Sequence, residues 1–277
     1  MMRNEAGLVD CHFHVIAPQD RHPMLAGRSY TPAPASLSEW QSALRPCGVT
    51  HGVVVQPSFY GTDNQVLVAA LEEGCGRLVG VAAVAADVCD AELDRLAAAG
   101  VRGVRMAYFE PGDPRAMGGF VPFSSFDGLE ARLHARHMHL QLFTDSRLLP
   151  CIADRLMASQ VPVVIDHMGR APAALGARHV GIQTLTRLMA DGPVWVKLSG
   201  VANVSDAGPD HEDARAVHDA LLAAVPDRLL WGSDWPHTKP SGTKPLTAAL
   251  VRLFQAWTPH ALLNRVGQAN ALSFYRF

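Results

Sequence analysis

The chain has no basic run dense enough for a nucleic-acid or anionic-membrane surface, and its formal net charge is only -2. Nucleic acid is therefore not an expected partner. No stretch approaches the roughly 18 consecutive apolar residues that a bilayer crossing needs, so no membrane span is expected. The opening MMRNEAGLVDC does not follow a charged stretch with an apolar one, so it does not read as a signal peptide. The five cysteines (Cys11, Cys47, Cys75, Cys89, Cys151) are odd in number and form no CxxC pair. Reduced thiols in a soluble, cytoplasmic protein are the expectation. Asn203-Val204-Ser205 matches a glycosylation sequon, which carries no meaning without secretion. Internal repeats and linkers are missing too, so residues 1–277 read as one domain.

What is present is a regular alternation. Eight short apolar runs recur along the chain: LVDCHFHV, THGVVVQP, LVGVAAV, VRGVRMAY, HLQLFT, VPVVIDHM, VWVKLSG and LLWGSDWP. Between them lie stretches with apolar residues three and four apart, the spacing of amphipathic helices. They are 36–44, 64–73, 91–99, 127–137, 148–159, 182–190 and 211–224. Asp63, Asp90 and Asp210 precede helical runs as N-cap candidates. Ala17 to Ala35 is rich in Pro and Gly and reads as a long loop, which in a compact domain is usually functional. His237 to Pro245 reads as the last loop before the C-terminal helices. A chain of 277 residues with 48% apolar and 18% charged residues can build a large core. Eight strands alternating with helices then predict an α/β fold, a single-domain (β/α)8 TIM barrel. An open doubly wound sheet is the alternative, but no Gly-rich turn follows the first strand.

In such a barrel, chemistry collects at the C-terminal strand ends. Strand one ends in His12 and His14, whose side chains share a face because alternate residues of a strand do so, about 7 Å apart. Strand six ends in Asp166-His167-Met168-Gly169-Arg170, and strand eight in Ser233-Asp234-Trp235-Pro236-His237. A lone strand-end histidine is usually a surface or hydrogen-bonded residue, and a strand-end Asp often just caps a turn. Three histidines and an aspartate at matching ends instead predict a metal site or an acid–base site. Arg102 and Arg105 stand three apart, so they face opposite sides. Arg105 is the substrate-facing candidate, and Arg102 is expected to turn towards the helices and pair with an acid. Arg170 is placed to clamp a carboxylate, with a solvated loop arginine as the bland reading. Ser58 and Tyr30 rest on location alone. Lys197 and Ser199 share one face of strand seven, lumen or not.

These motifs together resemble the amidohydrolase superfamily, within it the lactonase branch that includes the 2-pyrone-4,6-dicarboxylate lactonases. The resemblance runs from VDCHFHV through GRSYTP, VVVQPSFYGTDN, VRGVRM and VIDHMGR to LLWGSDWPH. It implies that His12 and His14 match the strand-one pair, His167 the strand-six histidine and Asp234 the strand-eight acid. It also implies that Tyr30, Ser58, Arg105 and Arg170 match positions that hold substrate carboxylates. Two departures stand out. Strand five carries Gln141 and Phe143 where metal-rich members have a histidine, which argues against a binuclear centre, and Phe143 stands where the dicarboxylate lactonase uses a tyrosine. No arginine appears in VKLSGVANVS at the end of strand seven, which with Phe143 suggests a smaller or less anionic substrate than the pyrone dicarboxylate.

The expected function is a hydrolase opening a small, carboxylated lactone of the pyrone-dicarboxylate or sugar-acid type, within aromatic or sugar-acid catabolism. Asp234 would activate water as general base, and His12, His14 and His167 would hold the developing oxyanion. Two cofactor states are left open. Either none is required, or one divalent cation (Zn or Mn) is held by His12, His14 and Asp234, with His167 as a further ligand. A metal-dependent decarboxylase of the same superfamily is the alternative, and a non-catalytic binding barrel the remote one. Homo-oligomerisation is left open.

Overall fold

A computed structural model describes residues 7–277 apart from 111, 114–115, 117, 171, 206, 209 and 239–245. Most of the expected last loop therefore lies outside the described residues. Eight parallel strands form one sheet in sequence order: β1 (Leu8–Phe13), β2 (Val49–Val55), β3 (Leu78–Ala82), β4 (Val101–Tyr108), β5 (His139–Thr144), β6 (Val163–Ile165), β7 (Val194–Leu198) and β8 (Leu229–Trp231). The sheet curls until its ends meet. The Asp234 amide donates to the His12 carbonyl (2.8 Å) and the His14 amide to the Trp235 carbonyl (2.9 Å). Gly232 permits this approach, since a Cβ there would lie 2.8 Å from His12 Cβ. The expected TIM barrel is the observed architecture.

The crossover helices are α1 (Leu37–Leu44), α2 (Gln65–Glu73), α3 (Asp90–Ala98), α4 (Phe126–Ala135), α5 (Leu149–Met157), α6 (Val180–Asp191) and α7 (Arg215–Ala224). After β8 come α8 (Thr247–Trp257), α9 (His260–Asn264) and α10 (Asn270–Tyr275). Among the described residues, no helix is long and apolar enough to cross a membrane. Asp63 does accept from the Gln65 amide (3.1 Å) at the start of α2. None of the three expected residues holds the N-cap position itself: at α2 that residue is Asn64, with Asp63 one place before it. Asp90 is itself the first residue of α3 and binds Arg132 across the surface, and at Asp210 the chain passes through a turn and a separate 3-10 segment before α7 begins. Ser36 instead forms a full capping box with Glu39 at α1.

Strand parity sorts the interior. Val54, Val104, Leu140, Leu142, Val163 and Val196 pack outward against the helices. Val9, Cys11, Val53, Val55, Val79, Val81, Val164 and Leu230 fill the lower lumen, closed from below by Tyr275 of α10. Parity alone would send His12 out with Asp10, since Cys11 faces in. A bulge resolves this: Asp10 pairs opposite Gly52 but Phe13 opposite Val54, three steps against two. Asp10 and Phe13 both turn outward onto Trp40 of α1, by a 2.9 Å hydrogen bond and a stacked ring pair at 4.1 Å. The residues between are thereby free to face in.

The long loop after β1 is pinned at its base by paired Ile16–Ala35 backbone bonds of 2.8 Å. The Tyr60 hydroxyl accepts from the Ala17 amide at 3.1 Å. That loop carries Tyr30 over the barrel's C-terminal mouth.

Candidate active site

Above the aliphatic floor the lumen turns polar. Arg105 of β4, Gln141 of β5, Asp166 after β6 and Lys197 of β7 are all buried there, so Lys197 does lie on the lumen face. Burying charges demands that they be paired and hydrogen-bonded. Here Asp166 supplies the counter-charge. Its Oδ2 accepts from Arg105 Nε (3.1 Å) and Gln141 Nε2 (3.1 Å), and Arg105 Nη2 lies 3.0 Å from it. Lys197 Nζ donates to Gln141 Oε1 at 2.6 Å and stands 3.7 Å from Asp166 Oδ1. Burial alone would raise the Asp166 pKa. The cationic groups of Arg105 and Lys197 more than offset that and hold it well below the usual carboxylate range. Burial draws Lys197 down to about 8, with Asp166 resisting.

The four expected catalytic side chains meet on this layer. The His12 ring centroid is 5.1 Å from that of His14 and 4.5 Å from that of His167. Asp234 Oδ1 lies 3.8 Å from His12 Nε2 and 3.7 Å from His167 Nε2. Burial keeps all three imidazoles neutral, His14 and His167 at about 3 and His12 well below its ordinary value. Burial also pushes Asp234 up to about 7, against the attraction of Arg105.

Hydrogen bonds distinguish the three rings. His14 Nδ1 sits 2.7 Å from the Val55 carbonyl, which can only accept, so Nδ1 carries the proton and Nε2 is bare. A neutral His14 therefore has no N–H to offer an oxyanion, which corrects the expectation that all three histidines donate. His167 Nδ1 pairs with the Ser199 hydroxyl at 2.9 Å. The His12 Nε2 atom is buried without a hydrogen-bond partner among the described residues.

The strand-six turn is built under strain. His167, Met168, Gly169 and Arg170 all have positive φ (53°, 54°, 70° and 50°), one turn of left-handed backbone. For the three non-glycine residues this costs roughly 1–2 kcal/mol each. Gly169 fits because a Cβ there would meet Leu185 at 3.0 Å and Ser146 at 3.3 Å. The turn aims His167 at Asp234 and carries Arg170 to Phe143, whose ring lies 4.6 Å from the Arg170 guanidinium and 5.0 Å from that of Arg105. Asp234 is also left-handed (φ 61°). Asp10 holds that segment from outside the barrel, accepting from the Ser233 amide (2.7 Å) and hydroxyl (2.6 Å).

The remaining expectations divide. Tyr30 bonds Thr238 (3.1 Å), and burial raises its pKa within electrostatic reach of Arg105 and Asp234. Ser58 is buried in the turn after β2, with no hydrogen bond to the histidines or Asp234 among the described residues. Arg102 does face the helices, but its partners are the Ala97 and Val101 carbonyls rather than an acid. Asp166, Gln141 and Asn203 are not among the site residues expected from sequence. Asn203, read only as part of a sequon, donates to Asp234 Oδ2 at 3.0 Å.

The donor set also fits one divalent cation. His12, His14 and Asp234 each offer a ligand atom, all within 4.8 Å of one another, and His12, Asp166 and His167 form a second such group. Neutral imidazole and carboxylate suit zinc or manganese, and the bare Nε2 of His14 is poised as a ligand.

Comparison with known proteins places this geometry. Residues 9–277 match the family model described as Amidohydrolase. A 4-sulfomuconolactone hydrolase of Hydrogenophaga intermedia is 32% identical over 232 residues, 84% of this chain and 75% of that one. A 2-pyrone-4,6-dicarboxylate hydrolase of Comamonas testosteroni is 32% identical over 269 residues, 94% and 87% of the two chains. The crystal structure of a Pseudomonas putida protein, provisionally assigned as a 2-pyrone-4,6-dicarboxylic acid hydrolase, superposes with a TM-score of 0.84. It is 32% identical, with 98% of each chain covered.

Proposed function

The chain belongs to the amidohydrolase family, and from the groups converging at its barrel mouth we propose that it hydrolyses a small, carboxylated lactone through water activated by Asp234. One observation carries the reading. Asp234, held at about 7, stands within 4 Å of two neutral imidazole nitrogens in a buried pocket. A base whose pKa lies near the working pH is the most effective one. The named relatives open lactones, which supports the same reaction type and leaves the decarboxylase alternative without a named relative among them.

The reaction runs in two steps. Asp234 removes a proton from water as its oxygen adds to the lactone carbonyl. The tetrahedral oxyanion is received by N–H groups at His12 Nε2 and His167 Nε2, the latter protonated when Ser199 donates to Nδ1. Collapse breaks the ring C–O bond, and the proton held by Asp234 passes to the departing oxygen. Each of these contributions is typically worth about 10²-fold or more. Arg105 and Arg170, grouped about the Phe143 ring, hold the substrate carboxylate. A divalent cation bound by His12, His14 and Asp234, with His167 beside them, would supply Lewis-acid polarisation of the carbonyl.

The substrate is a small molecule, and the five free thiols fit a cytoplasmic setting. The test is a pH-indicator assay of the purified protein on a panel of carboxylated and neutral lactones, with and without chelator. Hydrolysis of carboxylated lactones that Asp234→Asn abolishes is expected. Turnover of none of them rejects the reading.

A further inference from the structure

Lys197 is fully buried, yet the mechanism above gives it no task. Its ammonium group has two neighbours besides Gln141: His12 Nδ1 at 3.4 Å and Asp166 Oδ1 at 3.7 Å. Those two atoms face each other at 3.2 Å, so Nδ1 can either donate to the carboxylate or accept from the lysine. The choice decides what His12 shows to the substrate. In a neutral imidazole one nitrogen carries the proton and the other is bare, so an N–H at Nδ1 leaves Nε2 as a metal ligand, and an accepting Nδ1 makes Nε2 a donor.

The hydrogen-bond geometry takes a side. Lys197 Nζ makes a hydrogen bond to Nδ1. Asp166 Oδ1, although nearer at 3.2 Å, is not met by a well-aligned ring N–H of His12. Asp166 is instead engaged through Oδ2, where Arg105 and Gln141 converge. Gln141 orients the lysine as well, since its amide nitrogen is committed to Asp166 and its carbonyl oxygen to Nζ.

We propose that Lys197 is a positioning residue that donates to His12 Nδ1, so that Nε2 bears the N–H that meets the lactone oxygen and is closed to a divalent cation. The lysine thereby biases a site that holds a metal-ligand set towards direct hydrogen bonding. Only the activity readout below rests on the lactone reading; the nitrogen and zinc readouts stand without it.

Two measurements test this. In the wild-type protein with 15N-labelled histidine, the His12 ring is assigned by comparison with His12→Asn. The expected spectrum shows Nε2 as the N–H and Nδ1 as the bare nitrogen, and the reverse pattern overturns the proposal without any lysine variant. Lys197→Met keeps most of the buried volume and removes the donor, leaving Asp166 as the polar partner of Nδ1. In folded Lys197→Met, judged by near-UV circular dichroism, the His12 pattern should invert. Zinc affinity, titrated calorimetrically on chelator-treated protein, should rise at least tenfold. Chelator-resistant kcat/KM should fall at least tenfold. An unchanged zinc affinity and an unchanged nitrogen pattern in that variant would refute the role. If the wild type opens no lactone, the function fails while the nitrogen pattern still decides the role of Lys197.

Discussion

Asp234→Asn should inactivate the protein and stabilise it. An acid whose folded pKa is raised above its unfolded value takes up protons on folding, so stability is lost as pH climbs from the lower value to the higher. For Asp234 that window runs from 3.8 to about 7. At about 1.4 kcal/mol per pH unit, the folded state above pH 7 carries an ionisation penalty of about 4 kcal/mol. Asn carries no such penalty and keeps an oxygen for the Asn203 amide, which donates to Asp234 at 3.0 Å. Denaturant melts of both proteins should coincide near pH 4 and separate steadily above it. At pH 8 the variant should be ahead by about 2 kcal/mol or more, a rise in Tm of roughly 4–8 °C for a chain of this size. Loss of the general base should lower kcat by about 10²-fold or more. The wild-type kcat/KM should fall on the acid side of an apparent pKa near 7, where Asp234 becomes protonated. A variant that keeps more than a tenth of wild-type kcat, or that is less stable than wild type at pH 8, would refute the assignment of Asp234 as a buried base.

Arg170→Met should lower kcat/KM for a carboxylated lactone at least tenfold, equivalent to about 1.4 kcal/mol, and spare a neutral lactone of similar shape. Equal losses on both substrates would mean that the arginine is structural. Arg105→Met should damage both, because Arg105 also holds the buried Asp166 at 3.0–3.1 Å; selective loss on the carboxylated substrate would contradict that. Prolonged chelation should leave substantial activity if His12 and His167 act as direct donors, and complete loss restored by zinc or manganese would show that a cation is required. Asp10→Asn should cost about 1–3 kcal/mol in urea melts, since one carboxylate accepts from Trp40, Ser233 and the His12 amide.

The fold was legible because its signal is repeated. Each strand's apolar run and each helix's spacing is weak alone, but eight alternations in a chain of this length leave few architectures. The convergence of the four proposed catalytic side chains was legible for a related reason: each stands at the C-terminal end of a strand, a place that sequence order already marks. What escaped was the set of groups whose importance depends on partners far along the chain. Asp166 sits one residue before an obvious histidine, and only Arg105, 61 positions away, and Gln141 show what it holds. Asn203 looked like surface chemistry until the chain brought it to Asp234.

Parity was the subtler trap. Simple alternation correctly put His12 and His14 on one face, and Arg102 and Arg105 on opposite ones. Continued backwards along β1, the same rule would have turned Asp10 inward with the histidines and Cys11 outward, and Asp10 would have joined the catalytic acids. The bulge between Asp10 and Phe13 prevents that. It keeps Asp10 outside the barrel, fixing the β8 turn through Ser233, while His12 stays inside. Two acids beside His12 thus do opposite work: Asp10 accepts hydrogen bonds that hold backbone, and Asp234 faces the pocket with an oxygen 3.8 Å from His12 Nε2. No count of residue types separates those roles, because the difference lies in a single extra residue in one strand.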